Sequence, residues 1–155
     1  MNAPSPAIIE ALQAAVQKHW LAIANYAGQA IHLQRYGFSA LANKAKEDAE
    51  EERAHLNRLL NRLEVFDTTP VTDHPAAAWP RCDVPGILRS NLQLEQETCA
   101  IERAAILTAR ESGDEITADL FRQNLAGSET AIAELEAELL LIDSLGLENY
   151  LANQT

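Results

Sequence analysis

Three interruptions decide what this chain can fold into. Tyr36-Gly37-Phe38-Ser39 and Gly113-Asp114 are short breaks, whereas the connection from Val65 to Asp83 carries Pro70, Pro75 and Pro80. Proline lacks a backbone N–H and its ring clashes with the preceding turn, so no regular helix runs through that density. Between the breaks, apolar residues recur every three or four positions, the period of a helix that buries one face. The expected helices span about residues 5–35, 40–64, 84–112 and 115–145, with a short amphipathic tail at about 147–152. Pro6 and Pro85 fall in first turns, where a missing N–H costs little. Gly37 suits the position after a helix end, Ser39 reads as the N-cap of the second helix, and Gly146 ends the fourth. A short, a long and a short connection imply an all-α four-helix bundle with one crossover between helices two and three and a short C-terminal fifth helix. The crossover is long for a compact domain and long enough to run the length of a bundle. Residues 1–155 are expected to form a single domain.

Charge narrows the partners. The formal net charge of −11 argues against nucleic acid and anionic membranes and favours solubility. No run of about eighteen apolar residues is present, so no membrane span is expected. The first ten residues lack the basic and apolar regions of a secretory signal. Cys82 and Cys99 stand in no metal-type spacing and read as free thiols of a reducing cytoplasm, which is the expected location.

The chemistry centres on Glu52-Arg53-Ala54-His55. Residues three apart lie about one helical turn apart, so Glu52 and His55 point the same way. Both sit on the apolar stripe Leu41, Ala45, Asp48, Glu52, His55, Leu59, Leu63. A carboxylate and an imidazole on such a stripe must be desolvated, and each then needs a partner or a metal. Helix one carries His19 on its stripe, between Val16 and Ile23, with Tyr26 two turns on. On helix three, Leu88, Leu92, Glu95, Cys99 and Ile106 share a face and place Glu95 inside. Two histidines and two carboxylates then converge, and two-His-plus-carboxylate sets suit non-haem Fe(II) or Zn(II).

Helix four presents Ser128 and Ala131 at the corresponding level, and Glu129 is rotated about 100° off the stripe. Glu134 and Glu138 read as solvated, as does most of the acidic run from Glu47 to Glu51. Each of these ligand-type residues has a plainer reading: a buried His or Glu is usually a hydrogen-bonded core group, and Glu52 and His55 could pair with each other. His32 and His74 read as surface residues, and Arg35 and Arg53 as salt-bridge or interface groups. There is no Gly-rich phosphate loop and no nucleophile–base pair.

The segments Ala22-Ile23-Ala24-Asn25-Tyr26, Glu52-x-x-His55, Leu88-Arg89-Ser90-Asn91-Leu92-x-Leu94-Glu95 and Leu135-Glu136-x-Glu138-Leu139, with Gly146-Leu147-x-Asn149-Tyr150-Leu151, resemble bacterioferritins. The resemblance covers about residues 12–150 and implies a ferritin-like bundle, a cage of twenty-four subunits and iron storage. It also implies a di-iron ferroxidase centre built from a Glu on helix one, Glu-x-x-His pairs on helices two and four, and a Glu on helix three. Glu52, His55 and Glu95 fall on family ligands, and Tyr26 on the tyrosine beside the site. His19 stands where the family has its first Glu, and Ser128 and Ala131 where it has the second Glu-x-x-His. Arg53 takes the place of the methionine that holds haem at the dimer interface, so haem is not expected.

The expectation is therefore a bacterioferritin-like protein of iron storage and homeostasis, with an impaired site holding at most one metal on His19, Glu52, His55 and Glu95. Iron is the expected metal, with Zn or Mn possible, and ferroxidase activity weak or absent. The expected partners are metal ions and further subunits: a homo-oligomer, either dimer or cage, or co-assembly with a competent bacterioferritin subunit. Two alternatives stand beside it. One is a mononuclear Fe, Mn or Zn protein or enzyme on a ferritin-like scaffold; the other is a metal-free structural bundle.

Overall fold

The computed structural model describes residues 4–73, 79–80 and 83–155. Five helices follow one another: α1 (Pro6–Arg35), α2 (Ser39–Val65), α3 (Val84–Glu111), α4 (Glu115–Leu145) and α5 (Leu147–Ala152). Side chains explain most of the ends. Ser5, Asp83 and Asp114 accept hydrogen bonds from the backbone N–H groups of Ile8, Gly86 and Thr117, capping α1, α3 and α4. Gly37 follows α1 with a φ of +84°, the left-handed turn its position suggested. Ser39 does not cap α2. It is already helical, Phe38 holds the cap position without a side-chain bond, and the Ser39 hydroxyl faces the Gln34 amide at 3.4 Å. The tight turn behind Gly37 starts the helix one residue early.

Direction along the bundle follows from pairs of residues. The contacts of α1 with α3 run Gln29 to Asn91, Tyr26 to Glu95 and His19 to Glu102, so the two helices are antiparallel. The short turn makes α1 antiparallel to α2 as well, and α2 and α3 must then be parallel. The connection between them therefore travels the bundle's length. Its path is marked on α1, where Gln13 binds the backbone of Thr69 and Val71, Gln17 donates to the Asp73 carbonyl, and Trp79 lies against Gly28. A side chain at position 28 would collide with the Trp79 ring. His74 and Cys82 lie outside the described residues.

The core is split by the site. Leu12, Val16, Leu56, Leu59, Leu63 and Phe121 fill one end, and Leu33, Ala42, Ile87, Leu135 and Tyr150 fill the other. The zone between holds a small cluster of Ala22, Tyr26, Ala49 and Leu94 together with buried polar side chains. The seam of α2 with α4 is polar: Lys44 meets Glu134 at 2.6 Å, Arg58 meets Asn124 at 3.0 Å, and Arg62 meets Asp114 at 2.7 Å. Among the described residues, no helix is long and apolar enough to cross a membrane.

Two expectations about single residues need correction. His32 is buried, at 5% exposure, because α1 turns it inward against Tyr36, with ring centroids 4.9 Å apart. Glu138 is not simply solvated: its carboxylate accepts the Tyr150 hydroxyl at 2.5 Å, tying α5 to α4.

Candidate metal centre

Helical spacing brings His19, Glu52 and His55 together at the middle of the bundle, all buried, with one ligand atom from each within 4.8 Å of the others. The imidazole of His19 lies between two carboxylates. Its Nδ1 is 2.6 Å from Glu52 Oε2, and its Nε2 is 3.2 Å from Glu102 Oε1. Burial on its own would lower the His19 pKa. The hydrogen bonds and charges of Glu102 and Glu52 outweigh it and raise the pKa to about 9, so His19 is an imidazolium at neutral pH. Glu52 shows the counterpart. Burial would raise it, yet the hydrogen bond and charge of His19 and the nearby His55 ring hold it down at about 2.

His55 does not form the short pair with Glu52 that the one-turn spacing permits. Its Nδ1 stands 3.5 Å from Glu52 Oε1 and has no hydrogen-bond partner, while Glu52 spends its short bond on His19. The two imidazoles meet edge to face, with centroids 5.3 Å apart. The far side of the His55 ring rests on α4 at Gly127. A methyl there would lie 2.5 Å from Nε2 and 2.6 Å from Cε1, so the ring occupies space that only glycine leaves.

Glu95 is buried but stands outside this cluster. Its Oε1 accepts the Tyr26 hydroxyl at 2.7 Å, and its Oε2 has no hydrogen-bond partner. Burial and the Glu52 charge raise its pKa to about 8, with the Tyr26 bond opposing them. Burial and Glu95 in turn push the Tyr26 phenol well above its usual range. On α4, the Ser128 hydroxyl is fully buried without a partner, and Ala131 lines a cleft of about 420 Å³ bordered by Tyr26, Asp48, Leu88 and Leu135. Asp48 at this cleft rises to about 6 through burial, against the pull of Lys44.

Two residues of the centre escaped the sequence pattern. Glu102 is fully buried and lies seven residues beyond Glu95, two turns along one face, a spacing that could have found it. Gly127 carries no such signal, because only the position of the His55 ring gives it meaning.

These residues test which metal centre fits. Four buried polar atoms lack hydrogen bonds here: His55 Nδ1, Glu95 Oε2, Glu102 Oε2 and Ser128 Oγ. Buried polar groups are rarely left so, and a cation is one partner that would satisfy them. Two imidazoles and a carboxylate form a donor set for one ion. On α4, the side chains of Ser128 and Ala131 carry a hydroxyl and a methyl group.

A family model described as a ferritin-like domain matches residues 9–145. The chain is 34% identical over 128 residues to a bacterial ferritin of Pseudomonas aeruginosa, covering 80% of this chain and 82% of that protein. It is 27% identical over 147 residues to a bacterioferritin of Mycobacterium avium, covering 95% and 92%. Against a bacterioferritin of Brucella melitensis the identity is 28% over 145 residues, covering 94% and 90%.

Proposed function

Because the chain belongs to the ferritin-like family, we propose that it is a subunit of iron storage or iron homeostasis whose bundle centre holds one metal ion instead of two. The observation that carries this reading is the asymmetry around His55. One side of its ring meets Glu52 and His19, whose ligand atoms lie within 4.8 Å, and the other meets Gly127 on a helix with no ligand there.

His55 offers an unbonded nitrogen, Glu52 offers charge, and His19 must give up the proton on Nδ1 to become a ligand. A bound Fe(II), Mn(II) or Zn(II) ion would supply a Lewis-acid centre with open coordination positions. Loading then exchanges an ion for a proton, so it is favoured as pH rises. Paired oxidation of two irons lacks its second site, and ordinary ferroxidase activity is accordingly weak or absent. The resemblance to bacterioferritins extends the proposal to a cytoplasmic homo-oligomer, either dimer or cage, or to co-assembly with a competent subunit.

Anaerobic dialysis against Fe(II), followed by elemental analysis, tests the reading. Near one ion per chain is expected, lost in His55→Ala. Two ions per chain, or one ion that survives that substitution, refutes it. Light scattering reads the assembly, and a chain that stays monomeric refutes the oligomer.

A second reading, a metal-free polar network, has its own support: both nitrogens of His19 already face carboxylates. No metal uptake, together with a melting temperature indifferent to chelator, would favour it.

A further inference from the structure

We propose that Glu102 is the positioning residue of the metal centre: by accepting the Nε2–H of His19 it fixes the tautomer that leaves Nδ1 as the ligand atom. This inference rests on the one-metal reading.

The two nitrogens of the His19 ring face different surroundings. At Nδ1 stands Glu52, 2.6 Å away and itself a member of the cluster with His55. Around Nε2 stands Glu102, 3.2 Å away on α3 and fully buried. A neutral imidazole has one N–H and one lone pair. With the proton on Nδ1, the Nε2 lone pair faces the Glu102 oxygen, and two acceptors meet inside the protein. With the proton on Nε2, Glu102 accepts a proper hydrogen bond, and the Nδ1 lone pair is turned toward Glu52. That lone pair and the Glu52 carboxylate then need a cation between them, which is what a metal supplies. Glu102 thus makes one tautomer of His19 the metal-binding one.

Metal-bound histidines commonly donate their other N–H to a carboxylate, which orients the ring and strengthens the ligand. Glu102 completes such a carboxylate–histidine arrangement from a third helix. The arrangement depends on His19, because a carboxylate at that position only accepts and has no N–H to offer Glu102. It also gives a buried carboxylate without other apparent use a reason to be there: its Oε2 has no hydrogen bond.

The test uses Zn²⁺ with the full chain. Zn²⁺ titrations of the parent and of Glu102→Gln should give one site in each, with the dissociation constant about 10–100-fold weaker in the variant. The same substitution placed in a His19→Gln background should then have no effect, since Glu102 acts through His19. A dissociation constant within twofold of the parent overturns the role of Glu102 while leaving the one-metal reading intact. Parent protein that binds no Zn²⁺ overturns both. An effect of Glu102→Gln that persists undiminished without His19 places its action elsewhere and overturns the inference. A measurement on the parent needs no variant to fold: long-range ¹H–¹⁵N correlation of the Zn²⁺-loaded chain should show His19 protonated at Nε2 and metal-bound at Nδ1. The reverse assignment overturns the proposal.

Discussion

The buried charges at the bundle centre should make the metal-free protein less stable as the solution becomes alkaline. Folded His19 keeps its proton to about pH 9, against an ordinary value of 6.5, because Glu102 and Glu52 outweigh the effect of burial. A raised pKa gives a stabilisation that is complete below the unfolded value and is lost as pH rises through the folded one. From those two values, His19 alone removes about 2 kcal/mol between pH 7 and pH 9. Glu95, raised by burial and by the Glu52 charge from 4.5 to about 8, acts with the same sign from a lower starting pH. Over the same interval it removes roughly 1 kcal/mol more. Glu95→Gln separates the two, since its amide oxygen still accepts the Tyr26 hydroxyl. Urea unfolding in chelator at constant ionic strength, followed by helical circular dichroism, supplies the stabilities. The parent should lose about 3 kcal/mol from pH 7 to 9 and Glu95→Gln about 2 kcal/mol. Stability of Glu95→Gln that stays level or climbs across that interval refutes an imidazolium at position 19.

Gly127→Ala should push the His55 ring off the centre, because the new methyl would lie 2.5 Å from Nε2. A stability loss of about 1–3 kcal/mol in urea and Zn²⁺ binding at least about tenfold weaker are expected, and unchanged binding would contradict the placement of His55. Ser128→Ala removes a buried hydroxyl without a partner and should be neutral within about 0.5 kcal/mol or stabilising in thermal melts; a loss above about 1 kcal/mol would show that the hydroxyl is bonded. Asp114→Ala removes the cap of α4 and the partner of Arg62, 2.7 Å away, and should cost about 1–2 kcal/mol in urea unfolding. Phe121→Ala empties a fully buried position and should cost about 3–5 kcal/mol by the same measurement.

The helices could be read from the chain because their ends are written in local chemistry. Prolines exclude the crossover from helix, Asp83 and Asp114 cap α3 and α4, and the apolar period continues between the breaks. Ser39 shows the limit of local rules: a good capping residue became the first helical one because the turn before it set the geometry. The stripes likewise placed His19, Glu52, His55 and Glu95 inside. They could not say which nitrogen faces which oxygen. The nearest neighbour of His19 on α3 is Glu102, because two antiparallel helices place residue 19 opposite residue 102 and residue 26 opposite residue 95. That pairing depends on the relative shift of two helices joined through a long crossover, which periodicity within either helix does not contain.

Charge balance links the residues that set this chain apart from the pattern it resembles. Glu52, Glu95 and Glu102 are all buried at the centre. Without an ion and with a carboxylate at position 19, that carboxylate would meet Glu52 and Glu102 directly, with Glu95 buried nearby. Burial disfavours the charged forms of such a group, so it would favour taking up protons or a cation. The imidazolium of His19 neutralises this arrangement from within, touching Glu52 and Glu102 at once, while Glu95 tends to keep its own proton. Gly127 opens the space into which His55 leans, keeping its unbonded nitrogen beside Glu52. On the proposed reading, the histidine that balances these buried charges is also the one that Glu102 orients for the exchange of one proton for one ion.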